Sequence, residues 1–384
     1  MDTIRTLVLS GGGGRGAFHA GVYKYLLEAA KEGINDAHSD VWFPNIVVGT
    51  SIGAVNGAAI AQGISPQRLE RVWLKLREND IQGLPPGMRF LARWIAKRAL
   101  KGMIGVPLDS VPPSLATSPT PEDYWPPFPF LPHWLSEKIT GRWLNLLDTG
   151  PLYQTLKSEF RLDMERIAEA DQTLLITATN VQTGERVIFS NRAIYDRTTG
   201  EQRKDVIPGI SLQRIMASCS IPIVYPWTHD AETDAYYWDG ALVANTPMGA
   251  ALDAVRDVPV DVPMEVVVVL MTPWWEIGEA PPTRAETLPD SFSEALTWTL
   301  DWALLASFRE RLQLTRAYNR LARRERQQHQ SQLRYREVKT VIVAPDDFFP
   351  VARIIDYDEL SASLIEKGYQ AAQNAFKREF GDAS

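Results

Sequence analysis

Ile46-Val47-Val48-Gly49-Thr50-Ser51-Ile52-Gly53-Ala54-Val55-Asn56-Gly57-Ala58-Ala59 is the stretch that decides the fold. It opens as a short β-branched apolar run, passes through Gly49-Thr50-Ser51-Ile52-Gly53, and continues as small residues suited to a helix from Ala54 to Ala61. A G-x-S-x-G between a strand and a helix can expose the serine oxygen on a sharp turn. Gly49 and Gly53 permit strained backbone angles and close passage of neighbouring chain. The N-terminus of the following helix favours developing negative charge. A serine that merely caps the helix fits the same five letters equally well.

A second unit of the same kind lies upstream. Ile4 to Leu9 reads as a strand and Gly11 to Gly16 as a glycine turn, after which Phe18, Val22, Tyr25, Leu26 and Ala29 share one helical face. Two strand–turn–helix units in succession imply parallel strands joined by crossover helices. The expected fold is therefore α/β, three layers (α/β/α) around a mainly parallel sheet. Further strands are expected at Leu174–Thr179, Val187–Ser190, Ile223–Trp227, Glu265–Met271 and Val338–Val343. Residues 1–275 are taken as the catalytic domain, and 276–384 as an accessory, mainly helical C-terminal extension packed on the core.

Between the second and third strands, residues 80–148 form an insertion in which prolines such as Pro85, Pro112 and Pro126 alternate with Trp94, Trp125, Phe128 and Trp134. Proline denies it long regular elements; it is either a lid over the site or a loop tethered by its aromatics. The extension holds a helix from Phe292 to Arg326, apolar in its first half and basic in its second, and a final helix from Tyr357 to Phe380. Docking of the long helix on an anionic membrane competes with packing on the core.

The 384 residues are 45% hydrophobic and 23% charged, as in a soluble globular protein, and the formal charge of −7 argues against nucleic acid as partner. A single cysteine, Cys219, excludes an intrachain disulfide. No signal peptide and no apolar run long enough to span a bilayer is found, so the expected location is cytoplasmic, peripheral to a membrane at most. Composition leaves the oligomeric state open.

Gly11-Gly12-Gly13-Gly14-Arg15-Gly16 can turn consecutive N–H groups onto one point, an anion nest or oxyanion hole. The competing reading is a dinucleotide fingerprint, but the second strand ends at Gly49-Thr50-Ser51, where that motif requires a carboxylate. Of five histidines, only His329 follows Asp239, in a polar run. Asp239-Gly240-Ala241 instead places a carboxylate in a glycine turn after Tyr236-Tyr237-Trp238, and a carboxylate can itself be a general base. Arg15 either binds a lipid phosphate or braces the glycine loop. His19 reads as a structural histidine, and Cys219 as small-residue packing. No His, Cys or carboxylate cluster has metal spacing.

In this order and context, the glycine loop, the Gly49–Gly53 turn and the Asp239–Ala241 block resemble the patatin-like phospholipases. Arg15-Gly16-Ala17-Phe18-His19-Ala20-Gly21-Val22, Ala217-Ser218 through Pro226, and Asn245-Thr246-Pro247 resemble the family as well. The resemblance covers residues 4–275 without the insertion. It implies a patatin-like fold, a Ser51–Asp239 dyad without histidine, and an oxyanion hole from the N–H groups of Gly12, Gly13 and Gly14. Supporting motif positions are Gly11, Arg15, Gly16, Gly49, Gly53 and Gly240. It further implies lipid ester hydrolysis through an acyl-enzyme, of phospholipase A or lysophospholipase type, with no cofactor or metal and with a lipid or membrane-surface substrate. Ser10 stands where many members have Asp. The alternative function is a catalytically silent membrane- or protein-binding module on the same fold.

Overall fold

The computed structural model describes residues 3–28, 42–83, 147–196, 199–276, 278–279, 288–289, 292–328, 333–348, 357 and 360–380. Nearly all of the proline- and aromatic-rich insertion, and with it the lid reading, lies outside the described residues. Its ends are described: the N–H groups of Gly83 and Asp148 donate to each other's carbonyls at 2.8 and 2.9 Å, so the insertion leaves and re-enters at one point.

The strands are β1 (Ile4–Leu9), β2 (Ile46–Thr50), β3 (Thr173–Asn180), β4 (Arg186–Ser190), β5 (Val206–Pro208), β6 (Thr228–Asp230), β7 (Ala235–Asp239), β8 (Met264–Val269) and β9 (Val338–Val343). They form one sheet in the order β5-β4-β3-β2-β1-β8-β9, with β7 paired to β3 and to β6. Strands β3-β2-β1-β8-β9 run parallel, whereas β4 and β7 are antiparallel to β3. Alternation along each strand divides the core. Leu7, Leu9, Val267 and Val269 face one side, Val8, Val266, Val268 and Leu270 the other.

The first side is covered by α1 (Ala17–Glu28), α2 (Ile52–Ala61), α3 (Pro66–Lys75) and α11 (Ser361–Phe380). Short helices α4 (Glu78–Ile81), α5 (Gly150–Ser158), α6 (Met164–Ala168) and α7 (Leu212–Ser218) complete it. On the second side, α8 (Ala241–Ala244) and α9 (Met248–Ala254) precede the long α10 (Phe292–Gln327). This is the expected three-layer α/β/α architecture.

One expectation changes. Ile223–Trp227 is not a strand: Pro222 and Pro226 have no N–H for a ladder, and the segment turns, with Ile223 at φ 71. The paired strand begins only at Thr228. Residues past 275 contribute a strand to this sheet and a helix to each of its faces. Strand β9 pairs with β8 along its whole length. Helix α11 lies so close to α1 that a Cβ on Gly21 would stand 1.9 Å from the Ile365 carbonyl oxygen. The apolar residues Leu305, Phe308 and Leu312 of α10 are buried, and its basic half is held by carboxylates, Arg316 to Glu276 and Arg323 and Arg326 to Glu337. That is the core-packed arrangement of this helix. No described helix is long and apolar enough to cross a membrane.

Candidate active site

Ser51 follows the last residue of β2 and turns the chain into α2 at φ 56 and ψ −128, a left-handed conformation for a residue with a side chain. Such strain persists only where the surroundings enforce it. A Cβ on Gly49 would lie 2.2 Å from the Gly53 carbonyl oxygen, and one on Gly53 2.3 Å from that of Leu9. Both glycines are therefore steric requirements of the turn. The Ser51 side chain makes no capping hydrogen bond to α2, which removes the helix-cap alternative.

The sheet register brings Asp239 to the serine. Thr50, the last residue of β2, lies opposite Thr177 of β3. The next residue, Ala178, pairs with Val187 on its β4 edge and with Asp239 of β7 on the other. Strand β7 thus takes up the edge of β3 where β2 leaves it, and Asp239 sits one rung beyond the strand that delivers Ser51. The antiparallel course of β7 makes this possible. Gly240, next in sequence, passes so close to β3 that a Cβ would stand 2.4 Å from the Thr177 carbonyl oxygen.

Asp239 is 1% exposed. Its N–H donates to the Ser220 carbonyl at 2.8 Å, and its Oδ1 accepts from the Ala241 N–H at 2.8 Å. Oδ2 is buried and has no hydrogen-bond partner. Burial pushes its pKa up to about 7; the Ser51 hydroxyl and the Ala241 N–H act in the opposite direction. The hydroxyl thus faces the carboxylate without closing a hydrogen bond on Oδ2. Catalytic hydrogen bonds are often open in this way before substrate arrives.

The glycine loop lies beside the serine, where a Cβ on Gly11 would come within 3.2 Å of the Ser51 Cβ. The Gly11 N–H is used by the Asn245 carbonyl at 3.0 Å. Residues Gly13–Gly16 form a 3-10 turn, with Gly13 at φ 55. Among the described residues, the N–H groups of Gly12, Gly13 and Gly14 meet no acceptor outside that turn. Arg15 is 1% exposed and donates from Nε to the Gly12 carbonyl at 3.3 Å and from Nη1 to the Met271 carbonyl at 3.1 Å. The Arg15 N–H also donates to the Gly12 carbonyl, at 3.1 Å. Fixing that oxygen fixes the Gly12–Gly13 peptide plane, and so aims the Gly13 N–H the opposite way. Burial lowers the Arg15 pKa and Asp301 of α10 opposes the shift. Arg15 is a brace. Ser10 also closes a buried contact, its Oγ 2.8 Å from Oγ1 of Thr246, tying the loop to the segment after Asp239.

Other residues of the site carry weaker sequence signals. The Ser51 N–H donates to Ser218 Oγ at 2.8 Å, and Ser218 Oγ donates to the Thr177 carbonyl at 2.7 Å. The serine's own N–H is therefore occupied. Asn56 Nδ2 donates to the Gly16 carbonyl at 2.9 Å and lies 3.1 Å from His19 Nδ1, while Asn56 Oδ1 accepts from Trp73 Nε1 at 3.0 Å. This network joins α2 to the end of the glycine loop. His19 is buried within it, its pKa depressed to about 3 by burial, so it is a neutral structural ring. His229, the other described histidine, is hydrogen-bonded to Asp234 on an exposed turn. Cys219 is buried, and its thiol pKa is raised by burial and by Asp239. No group of His, Cys, Asp or Glu among the described residues is placed to hold a metal ion.

A serine held at a left-handed turn after a parallel strand, a buried carboxylate on the next rung and a braced glycine loop thus meet at this end of the sheet. Residues 7–252 match the family described as patatin-like phospholipase, and the chain belongs to that family. At the general level that membership carries, it is a lipid acyl hydrolase. Among solved structures, VipD from Legionella pneumophila is similar over 99% of this chain and 67% of its own, at 13% identity and a TM-score of 0.42. The heterodimeric ExoU–SpcU complex of the type III secretion system of Pseudomonas aeruginosa is similar over 99% of this chain, at 13% identity and a TM-score of 0.29. The chain spans 52% of the length of that second relative. No curated protein sequence matches it.

Proposed function

We propose that the protein hydrolyses carboxylic ester bonds of lipids, as a phospholipase A or lysophospholipase, through a Ser51–Asp239 dyad. Asp239 takes the Ser51 proton as Oγ attacks the ester carbonyl carbon. The carbonyl π electrons move onto oxygen, and that oxyanion is held by N–H groups of Gly12, Gly13 and Gly14. Collapse of the tetrahedral intermediate breaks the ester C–O bond, and the departing alcohol takes the proton from Asp239. Water, deprotonated by the same carboxylate, then attacks the acyl carbonyl carbon; the bond to Ser51 Oγ breaks, Oγ recovers the proton from Asp239, and the fatty acid leaves.

The observation that carries this reading is the buried, unpartnered Oδ2 of Asp239 on the rung next to Ser51, in a carboxyl group with its pKa raised to about 7. A base with that pKa is half ionised near neutral pH and strong enough to take a proton in the transition state. The experiment is labelling with a fluorophosphonate together with hydrolysis of a phospholipid panel. Labelling at Ser51 and release of fatty acid support the reading. A protein that takes no label and releases no fatty acid is instead the silent binding module.

A further inference from the structure

The protein's sheet ends, at the pole where Ser51 sits, in a group of exposed apolar side chains that the chemistry above does not use. Ile223 is 75% exposed and Leu242 is 58% exposed. They flank Asp239. Ile223 lies in the turn after Ser220, whose carbonyl accepts the Asp239 N–H, and Leu242 lies in α8, whose first residue donates its N–H to Asp239 Oδ1. The β6–β7 hairpin rises past the end of β3, because the Tyr236 carbonyl accepts the N–H of Val181, one residue beyond that strand. On the hairpin, Tyr237 and Asp239 face inward, whereas Tyr236 is 39% exposed and packs edge to face on Trp227, which is 36% exposed.

Ile223 is the informative residue. A β-branched side chain at φ 71 is a backbone outlier, since this conformation favours glycine and tolerates asparagine. A costly backbone conformation therefore holds an exposed aliphatic side chain three residues from Ser220, whose carbonyl accepts the N–H of the candidate base. Strain of this kind collects at functional sites, and exposed apolar side chains gathered at one end of a fold mark an interaction surface. Trp and Tyr, with apolar rings and polar tips, suit the boundary between lipid tails and headgroups. The charged side chains at the tip of the same hairpin are acidic: Glu232 and Asp234 are strongly exposed, each bonded on one side, to Arg214 and to His229. An acidic tip disfavours an anionic surface.

We infer that Ile223, Trp227, Tyr236 and Leu242 form a docking face for the surface of an electroneutral phospholipid aggregate, which seats the protein with Ser51 toward the lipid. The inference rests on the ester-hydrolase reading for its choice of lipid as occupant. The test uses Ile223→Asn with Leu242→Gln in the full chain, and phosphatidylcholine vesicles as probe. Asparagine relieves the backbone strain at position 223, and glutamine is a good helix former at an exposed position, so the fold is retained. Each aliphatic side chain withdrawn from lipid weakens partitioning by about tenfold. The double variant should sediment poorly with vesicles and hydrolyse vesicular phosphatidylcholine slowly, while hydrolysis of a short, monomeric, water-soluble ester is unchanged.

The vesicle measurement is repeated on Ser51→Ala, which must still bind vesicles. Failure of the parent protein to hydrolyse either ester would overturn the reaction but leave this binding result readable. Equal sedimentation of the double variant and its parent would overturn the docking face. So would a parallel loss on the soluble ester, which would place these residues in the reaction centre itself. Tighter binding to phosphatidylglycerol vesicles would overturn the electroneutral surface. A parent dimer that the two substitutions convert to monomer would make the face a contact between copies of this chain.

Discussion

At the carboxyl end of the parallel strands the chain holds Ser51 at φ 56, Ile223 at φ 71 and the Asp239 Oδ2 buried without a partner. At the amino end of β8 and β9, a cleft of about 910 Å³ is lined by charged groups that are mostly paired. There Glu337 accepts from Arg323 and Arg326 at 2.7 and 2.9 Å, and the Asn319 carboxamide bonds both the carbonyl and the N–H of Val338, at 2.8 and 2.9 Å. The two ends share a sheet and a core, yet the Asp239 Oδ2 is open at one, whereas Glu337 and Asn319 are closed at the other. An open buried carboxylate costs free energy in the resting protein and is useful only where a proton or a developing charge will meet it. That cleft is thus the poorer candidate for chemistry.

The contrast breaks most visibly at the dyad. Ser51→Ala and Asp239→Asn should each lower kcat by about 10⁴–10⁶-fold, and the double variant should be little worse than either single one. Steady-state hydrolysis of a phospholipid and of a soluble ester measures this. Substantial activity in Asp239→Asn, lost again when a histidine is replaced, would mean that a triad operates. The glycine loop comes next. Gly13→Ala puts a side chain at φ 55 and disturbs the donors, and should lower kcat by about 10²–10³-fold with little change in KM, because the donors act on charge that appears in the transition state. An unchanged kcat would remove this loop from the reaction.

Asp239 also links activity to stability through pH. Its pKa rises on folding from 3.8 to about 7, so the protonated form favours the native state. That contribution is complete below about pH 4 and is lost as pH rises through about 7, by up to about 4 kcal/mol. Asp239→Asn should therefore stabilise the protein relative to its parent more at pH 8 than at pH 4. Thermal unfolding of both proteins at the two pH values measures this, and an equal difference at both would mean that the carboxyl group is not desolvated. In the parent, kcat/KM should fall about tenfold per pH unit on the acid side of pH 7, as the base becomes protonated.

The glycine positions of the Ser51 turn were legible in the sequence because their requirement is steric and local. Gly49 and Gly53 lie four residues apart around a serine, and the contacts a Cβ would make at each explain why the letters are fixed. The meeting of Ser51 with Asp239 was legible only through family resemblance, since it depends on β7 entering the edge of β3 that β2 vacates, a register no local pattern encodes. The segment Ile221-Pro222-Ile223-Val224-Tyr225-Pro226-Trp227 misleads because its apolar, β-branched letters outweigh two prolines that have no N–H to pair. Ser218 and Asn56 were hidden for a different reason. A serine or asparagine that holds a neighbour's backbone looks like any small polar residue until the partner is in view.

The smallest expected effect belongs to the paired end. Glu337→Gln removes the carboxylate that accepts from both Arg323 and Arg326, with Glu337 34% exposed and the arginines 65% and 34% exposed. Pairs this wet are screened by water and salt, so the loss should be about 0.5–1 kcal/mol and should shrink as salt is added. Much of the local geometry is kept by Asn319, whose two bonds to Val338 do not depend on charge. Hydrolysis of soluble ester should be unchanged, because the site lies beyond the other end of the strands. Denaturant unfolding in low and in high salt, with the ester assay alongside, measures both halves of the claim. A loss of activity out of proportion to the loss of stability would mean that α10 transmits a change across the sheet to Arg15 through Asp301, and that the two ends are not independent.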